Sequence, residues 1–236
     1  MRELDSFHQN HLLATLIESG CERLQSQLEL VHLTQGDVLY ESDSRLRHAY
    51  FPTTSIVSLL SVMEDGASDE IAFVGNEGVV GVPLFMGGET TPSRAVVRNA
   101  GHAFRIQGQV LQDEFKRSSS VQHLLLRYTQ ALLTQIGQTA ACNRHHSVHQ
   151  RLCRWLLSGL DCLPVNEIRI THEAIAGMLG VRRESISKEA GELQTASLIH
   201  YKRGRIIVVD RPKLEARACE CYRGMRREST RLLKAA

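Results

Sequence analysis

Residues 170–209 constrain the fold more than any other stretch, because their pattern fits two short helices joined by a tight turn, then a small β-hairpin. The first helix is expected over 171–179, with Thr171 as its N-cap, since a threonine hydroxyl can accept an orphan backbone N–H. Ile175 and Met178 or Leu179 lie at the three-and-four spacing of a half-buried helix. Gly180 ends it, as a residue able to take positive φ at a helix C-terminus. The second helix is expected from about 182 to 195, burying Ile186, Ala190 and Leu193. Arg182, Arg183, Glu184, Ser185, Ser187 and Lys188 then crowd its exposed start. That is a helix-turn-helix, whose second helix presents its first residues to base edges.

The next residues extend the motif. Leu198-Ile199-His200-Tyr201 and Ile206-Ile207-Val208-Val209 are β-type runs separated by Lys202-Arg203-Gly204-Arg205. A hairpin with three cations and one glycine at its tip suits a wing resting on phosphates. The competing assignment is an ordinary αα-hairpin followed by a surface hairpin with solvated charges. Charge distribution favours the wing. Residues 1–142 hold 10 Lys and Arg against 16 Asp and Glu, whereas residues 143–236 hold 18 against 10. A net charge of +2 therefore conceals a carboxy-terminal part that a polyanion would feel strongly. The basic segment 211–234 adds to that field, although a solvated terminal helix explains it equally well.

At 236 residues the chain can hold two domains, and 42% hydrophobic with 23% charged residues suits a soluble globular protein. No apolar run is long enough for a membrane span. Met1-Arg2-Glu3-Leu4-Asp5 lacks the layout of a secretion signal, so a cytoplasmic location is expected. There Cys21, Cys142, Cys153, Cys162, Cys219 and Cys221 should be reduced thiols. No Gly-x-Ser-x-Gly, P-loop or paired histidine–glutamate motif is present, which argues against an enzyme.

Residues 1–115 read as an all-β sensing module. After a short helix at 10–19, glycines bound brief strands at 37–40, 55–62, 70–74, 95–99 and 103–106. Glu64-Asp65-Gly66 is a hairpin signal between two of them. Strands this short and closely spaced argue for a sandwich or barrel. Residues 115–142 hold no proline, and no glycine before Gly137, and predict a single helix of about seven turns. Leu125, Leu132 and Thr139 recur every seven residues, as do Tyr128, Gln135 and Cys142. With Ile136 they form a stripe suited to a two-stranded coiled coil, or to packing on its own domain. Ser147-Val148-His149-Gln150 has the form of a capping box, so a new helix starts there and runs to about residue 160. The expected division is 1–115 sensor, 116–142 dimerisation helix, 143–146 hinge and 147–236 DNA-binding unit.

This order of parts resembles the Crp/Fnr transcription regulators over almost the whole chain. Gln35-Gly36-Asp37-Val38-Leu39-Tyr40, Tyr50-Phe51-Pro52, Arg151-Leu152-Cys153-Arg154-Trp155-Leu156-Leu157 and residues 170–188 carry the resemblance. It implies an α+β fold: an N-terminal β-roll of the cyclic-nucleotide-binding kind (a jelly roll), a long dimerisation helix and a C-terminal winged helix-turn-helix. It also implies a homodimer on double-stranded DNA, at a pseudo-palindromic operator, with RNA polymerase as partner. The family's base-reading arginine, glutamate and following basic residue fall on Arg183, Glu184 and Lys188. An arginine can fork onto guanine and a glutamate can accept from cytosine, whereas a lysine in the third place lacks the planar fork. Arg182 stands where a capping Ser or Thr is usual. Gly191 costs the helix about 1 kcal/mol unless close packing requires it.

The effector site departs from the cyclic-AMP pattern of such relatives. Where they carry Gly-Glu and Arg-Ser-Ala, this chain reads Gly81-Val82-Pro83-Leu84 and Ser93-Arg94-Ala95. The Val82 side chain accepts no hydrogen bond, Pro83 lacks a donor, and a one-residue slip would turn Arg94 to the other face, although an insertion near Gly87-Gly88 could restore its direction and leaves phosphate binding open. An unidentified small-molecule effector, or none, is expected over cyclic AMP, with Gln135 and Thr139 able to feel a dimer-spanning ligand. Cys142, His145, His146 and His149 carry donors for a borderline metal, and a haem or metal sensor could use that switch point. Solvated hinge histidines are the preferred reading. Cys219-Glu220-Cys221 looks a poor chelate, and the amino-terminal cysteine cluster of iron–sulfur relatives is missing. A ligand-binding signalling module that acts through protein partners without DNA is the alternative function.

Overall fold

The computed structural model describes residues 4–233. The run at residues 1–3 that bears on secretion, and Lys234 at the basic end, lie outside the described residues.

A helix of one to two turns over Leu4–Gln9 leads into α1 (His11–Glu18), which Asn10 caps with its side-chain oxygen on the Leu13 N–H. The Asn10 amide also donates to the Pro52 and Gly78 carbonyls, so a buried polar side chain stitches the helix to the roll. After α2 (Glu22–Gln25), seven antiparallel strands form two sheets. One is ordered β1 (Glu29–Leu33), β7 (Gly101–Gln107), β3 (His48–Pro52). The other is ordered β2 (Val38–Tyr40), β6 (Ser93–Asn99), β4 (Ile56–Val62), β5 (Ser68–Val74). Phe51, Val57, Leu59, Val97, Phe104 and Ile106 fill the space between them. Between β5 and β6, α3 (Val82–Met86) starts at Gly81, whose φ of 115° no L side chain takes readily.

The segment expected to be one helix from 115 is two. α4 (Gly108–Arg117) ends at Ser118, whose backbone is extended and whose hydroxyl caps α5 (Ser119–His145). α5 runs on to His145, so the hinge shrinks from 143–146 to His146 and Ser147. The capping box of Ser147 and Gln150 then opens α6 (Val148–Asp161) as expected.

The carboxy-terminal unit has its own core of Leu152, Leu156, Ile168, Ile175, Ile186, Leu193 and Ile206. β8 (Glu167–Arg169), unexpected from sequence, joins β10 (Arg205–Val208) and β9 (Ile199–Lys202) in a three-stranded sheet around α7 (His172–Leu179) and α8 (Arg183–Thr195). The last segment splits into α9 (Arg211–Arg217) and α10 (Glu220–Leu233), and α10 packs back along α5.

The two units are docked. Ala95 and Val97 of β6 face the roll interior, so Arg98 faces outward, yet its side chain is 0% exposed because α6 covers it. Arg98 pairs with Glu70 of β5 at 3.3 Å and lies over the rings of Phe73 and Trp155, 4.9 and 4.4 Å from their centroids. Ser58 also bonds Glu70. Gln35 of the roll donates to the Arg169 carbonyl at the base of the wing.

Candidate nucleic-acid interface

Thr171 caps α7 on the Ala174 N–H, and Gly180 ends it at φ 59°, ψ 43°, both as the sequence indicates. Ile186, Ala190 and Leu193 hold α8 against the core. The opposite face is open: Arg182, Arg183, Glu184, Ser187 and Lys188 are exposed, and Ser185 is half-buried. The side chains of Arg183 and Lys188 are 65% and 71% exposed, each in a loose 3.9 Å contact with Glu173 and Glu192 respectively. Pairs this open and this long cost little to exchange for phosphate or base contacts. Arg182 occupies the N-cap without capping, so a cation stands where a hydroxyl would close the first turn.

At the wing tip Arg203 and Gly204 have φ of 49° and 74°. Two consecutive positive-φ residues give the turn that matches strand twist, and they push the Arg203 side chain clear of the sheet. Lys202 and Arg203 are exposed. Arg205 differs from expectation. Its guanidinium grips Glu167, with Nε 3.0 Å from Oε1, and Arg169 binds the same carboxylate. Those two arginines hold the Glu167 carboxyl below the usual carboxylate range. Arg205 therefore braces the wing base.

His172 ties the motif together. Its ring stacks on Tyr201 at 4.0 Å and its Nδ1 lies 3.1 Å from the Ser187 hydroxyl. One imidazole thus joins the first helix, the recognition helix and the wing. Burial, then nearby Arg183, lowers its pKa and favours the neutral ring. Nothing local signals this, because the partners lie 15 and 29 positions away.

The expected effector residues do not converge. Leu84 is buried beneath Gly108, and Ala95 points into the core. Arg94 lies on the other face of β6, with Nε 2.9 Å from Glu41, and Ser93 bonds Thr91. Gly81 and Val82 begin the short α3. Gln135 accepts from the Phe73 N–H, and Thr139 is buried. Gln135 does border a cavity of about 240 Å³ with Phe73, Glu77, Asp161, Tyr222 and Arg226, where β5, α5, α6 and α10 meet. Burial and Asp161 push the Glu77 carboxyl up to about 7.

A groove-sized basic helix face, a basic wing and a docked roll are the parts of a known architecture. Residues 30–118 match the cyclic nucleotide-binding domain, and residues 150–217 the Crp-like helix-turn-helix domain. The chain belongs to the Crp/Fnr family of transcription regulators. It is 21% identical to the global nitrogen regulator of Synechococcus elongatus over 211 residues, 85% of this chain and 94% of that protein. FixK2 from Bradyrhizobium japonicum superimposes with a TM-score of 0.70 at 17% identity, over 81% of this chain and 98% of that one. A CRP-family transcriptional regulator from Thermus thermophilus does so with 0.66 at 19% identity, over 80% and 96%.

In this Crp/Fnr regulator the α5 residues expected at a dimer seam turn into the subunit's own fold. Leu125 and Tyr128 are buried within the subunit, the tyrosine hydroxyl bonding the Val79 carbonyl. Leu132, Gln135, Ile136 and Thr139 continue that inward face. The open face is one residue on: Leu126 and Leu133 are 42% and 63% exposed, and Ala140 and Gln130 are exposed with them. No helix among the described residues is long and apolar enough to cross a membrane.

The hinge histidines also separate. His145 is exposed, and His149 Nδ1 lies 2.8 Å from Glu189. Cys142 and His146 instead meet Cys219 and Cys221.

Proposed function

We propose that this regulator binds a pseudo-palindromic operator as a homodimer, with Arg183, Glu184 and Lys188 facing base edges and Lys202 and Arg203 resting on phosphates. Thr171, Arg182, Ser185 and Ser187 line the same surface, while Arg205 supports it from the wing base. One observation carries the reading: the helix that buries Ile186, Ala190 and Leu193 leaves its cations in solvent even with the two units docked. The paired subunits meet along Leu126, Gln130, Leu133 and Ala140, which lie on one side of α5 at heptad spacing. Facing recognition helices would then sit one DNA turn apart, about 34 Å.

Selection from a randomised duplex library, followed by gel shift at two salt concentrations, tests this. A two-fold symmetric consensus and a steep loss of affinity with salt are expected. If no duplex shifts even at low salt, the alternative stands: a module acting through protein partners.

The input is something other than cyclic AMP held in the usual way. The Val82 side chain offers the ribose no acceptor, Pro83 has no N–H for the phosphate, and Arg94 faces away from the roll interior. An effector need only bind the docked and undocked arrangements unequally to change occupancy on DNA. On the operator the protein would meet RNA polymerase, in the cytoplasm, and it catalyses no reaction. Calorimetric titration with cyclic AMP checks the first point, and tight binding would overturn it.

A further inference from the structure

At the hinge, four metal-binding side chains from distant parts of the chain come together. Cys142 lies in the last turn of α5 and His146 is the extended residue that ends that helix, its N–H bonded to the Cys142 carbonyl, while Cys219 and Cys221 flank Glu220 at the start of α10. Their donor atoms all lie within 4.8 Å of one another. Cys142 Sγ is 3.6 Å from Cys219 Sγ, and Cys221 Sγ is 3.6 Å from His146 Nδ1. Tetrahedral zinc with Zn–S bonds of about 2.3 Å sets its ligand atoms about 3.5–3.8 Å apart. The three cysteines are buried in a small cluster of their own, apart from both main cores.

The surroundings suit a metal better than a thiol pair. His146 Nε2 faces the Glu220 carboxylate at 3.2 Å, which leaves Nδ1 as the donor atom turned inward and fixes the ring as metal-binding histidines are commonly fixed. The Gln138 amide donates to Cys221 Sγ at 3.0 Å. Arg154 is 4% exposed and makes no ion pair with a carboxylate among the described residues; its Nη1 has only the Met225 sulfur, at 3.9 Å, and its Nε has no partner. A buried guanidinium without an anion is costly, and thiolates near it would supply the missing charge. A disulfide between Cys142 and Cys219 would leave Cys221 and His146 without a purpose in the cluster.

We propose that Cys142, His146, Cys219 and Cys221 bind one zinc ion, which pins α10 to the end of α5 and fixes the hinge. Three thiolates and a neutral imidazole leave the closed site with one net negative charge, next to Arg154. Thiol protons are released as the metal enters. Four protein ligands leave no open position, so the role is structural. That the hinge angle reaches DNA rests on the proposed function, but metal binding itself does not.

The test uses the full chain, purified under reducing conditions from cells supplied with zinc. Elemental analysis should find one zinc per chain, removed by a chelator and restored by zinc, with thermal melting falling and recovering in step. Cobalt(II) added to the metal-free protein should give the visible bands of tetrahedral thiolate coordination. His146→Ala and Cys221→Ser should lose the metal or weaken its retention at least tenfold, whereas His145→Ala and His149→Ala should keep it. Should a variant fail to fold, the cobalt spectrum of the unaltered chain still decides. Absence of metal and of cobalt bands in the reduced protein overturns the proposal. So does a Cys142–Cys219 disulfide in freshly lysed cells, or loss of metal with His145→Ala but not His146→Ala.

Discussion

The indole Nε1 of Trp155 donates to Glu70 Oε1 at 2.9 Å, across the boundary between the DNA-binding unit and the roll. The same carboxylate neutralises Arg98, so one buried acid serves both units. Trp155 is the chain's single tryptophan. Its fluorescence therefore reports docking without labels. Glu70→Ala leaves Arg98 buried and unpaired, and a loss of about 3–5 kcal/mol is expected. Urea unfolding followed by fluorescence and by circular dichroism measures it. A loss below about 1 kcal/mol would mean that Arg98 finds another partner or that water reaches it.

Arg183→Ala should cost about 1–3 kcal/mol of operator affinity and relax the preference at one base pair. Lys202→Ala should weaken all sequences alike and reduce the salt slope by about one. Fluorescence anisotropy with consensus and scrambled duplexes separates the two. A uniform loss with Arg183→Ala would make it a phosphate contact.

Gly191 has open space around the position where a Cβ would stand. No packing demand offsets its helix penalty, so Gly191→Ala should stabilise the protein by up to about 1 kcal/mol. Chemical unfolding checks this, and an unchanged or lower midpoint contradicts it.

Leu133→Glu should leave the subunit folded but monomeric in sedimentation, because the residue is 63% exposed on α5. Leu125→Glu, in a fully buried place, should instead unfold the roll. Dimers surviving with Leu133→Glu would place the interface elsewhere.

Glu77 gives a pH dependence. Its folded pKa, about 7, lies above its ordinary value of 4.5, so the folded protein holds the proton more tightly than the unfolded chain. The resulting stabilisation is complete below about pH 4.5 and is lost as pH rises through about 7. Glu77→Gln should flatten that part of the stability profile. An identical slope in both proteins would assign the titration to another group.

Local chemistry was legible where one segment determined it: the Thr171 cap, the Gly180 stop, the Ser147–Gln150 box and the inward face of α8 all stand as the sequence implies. Choices between faces were not. Heptads run through Leu125, Leu132 and Thr139, and equally through Leu126, Leu133 and Ala140; only the roll decides which set it covers. The break at Ser118 hides in a triple serine, where any of the three could cap. β1 exposes most of its side chains, so its alternation is faint. Cys219 reaches Cys142 from 77 positions away, a pairing that no spacing rule anticipates.

Gly180 and Gly159 both lie where the units touch. A Cβ on the first would overlap the Asp69 carboxylate, and one on the second the Arg98 guanidinium. The halves thus abut through bare main chain, and a single methyl at residue 159 acts as a wedge. Because that position lies on α6 rather than on α8 or the wing, Gly159→Ala is a way to prise the molecule ajar while leaving its reading surface untouched.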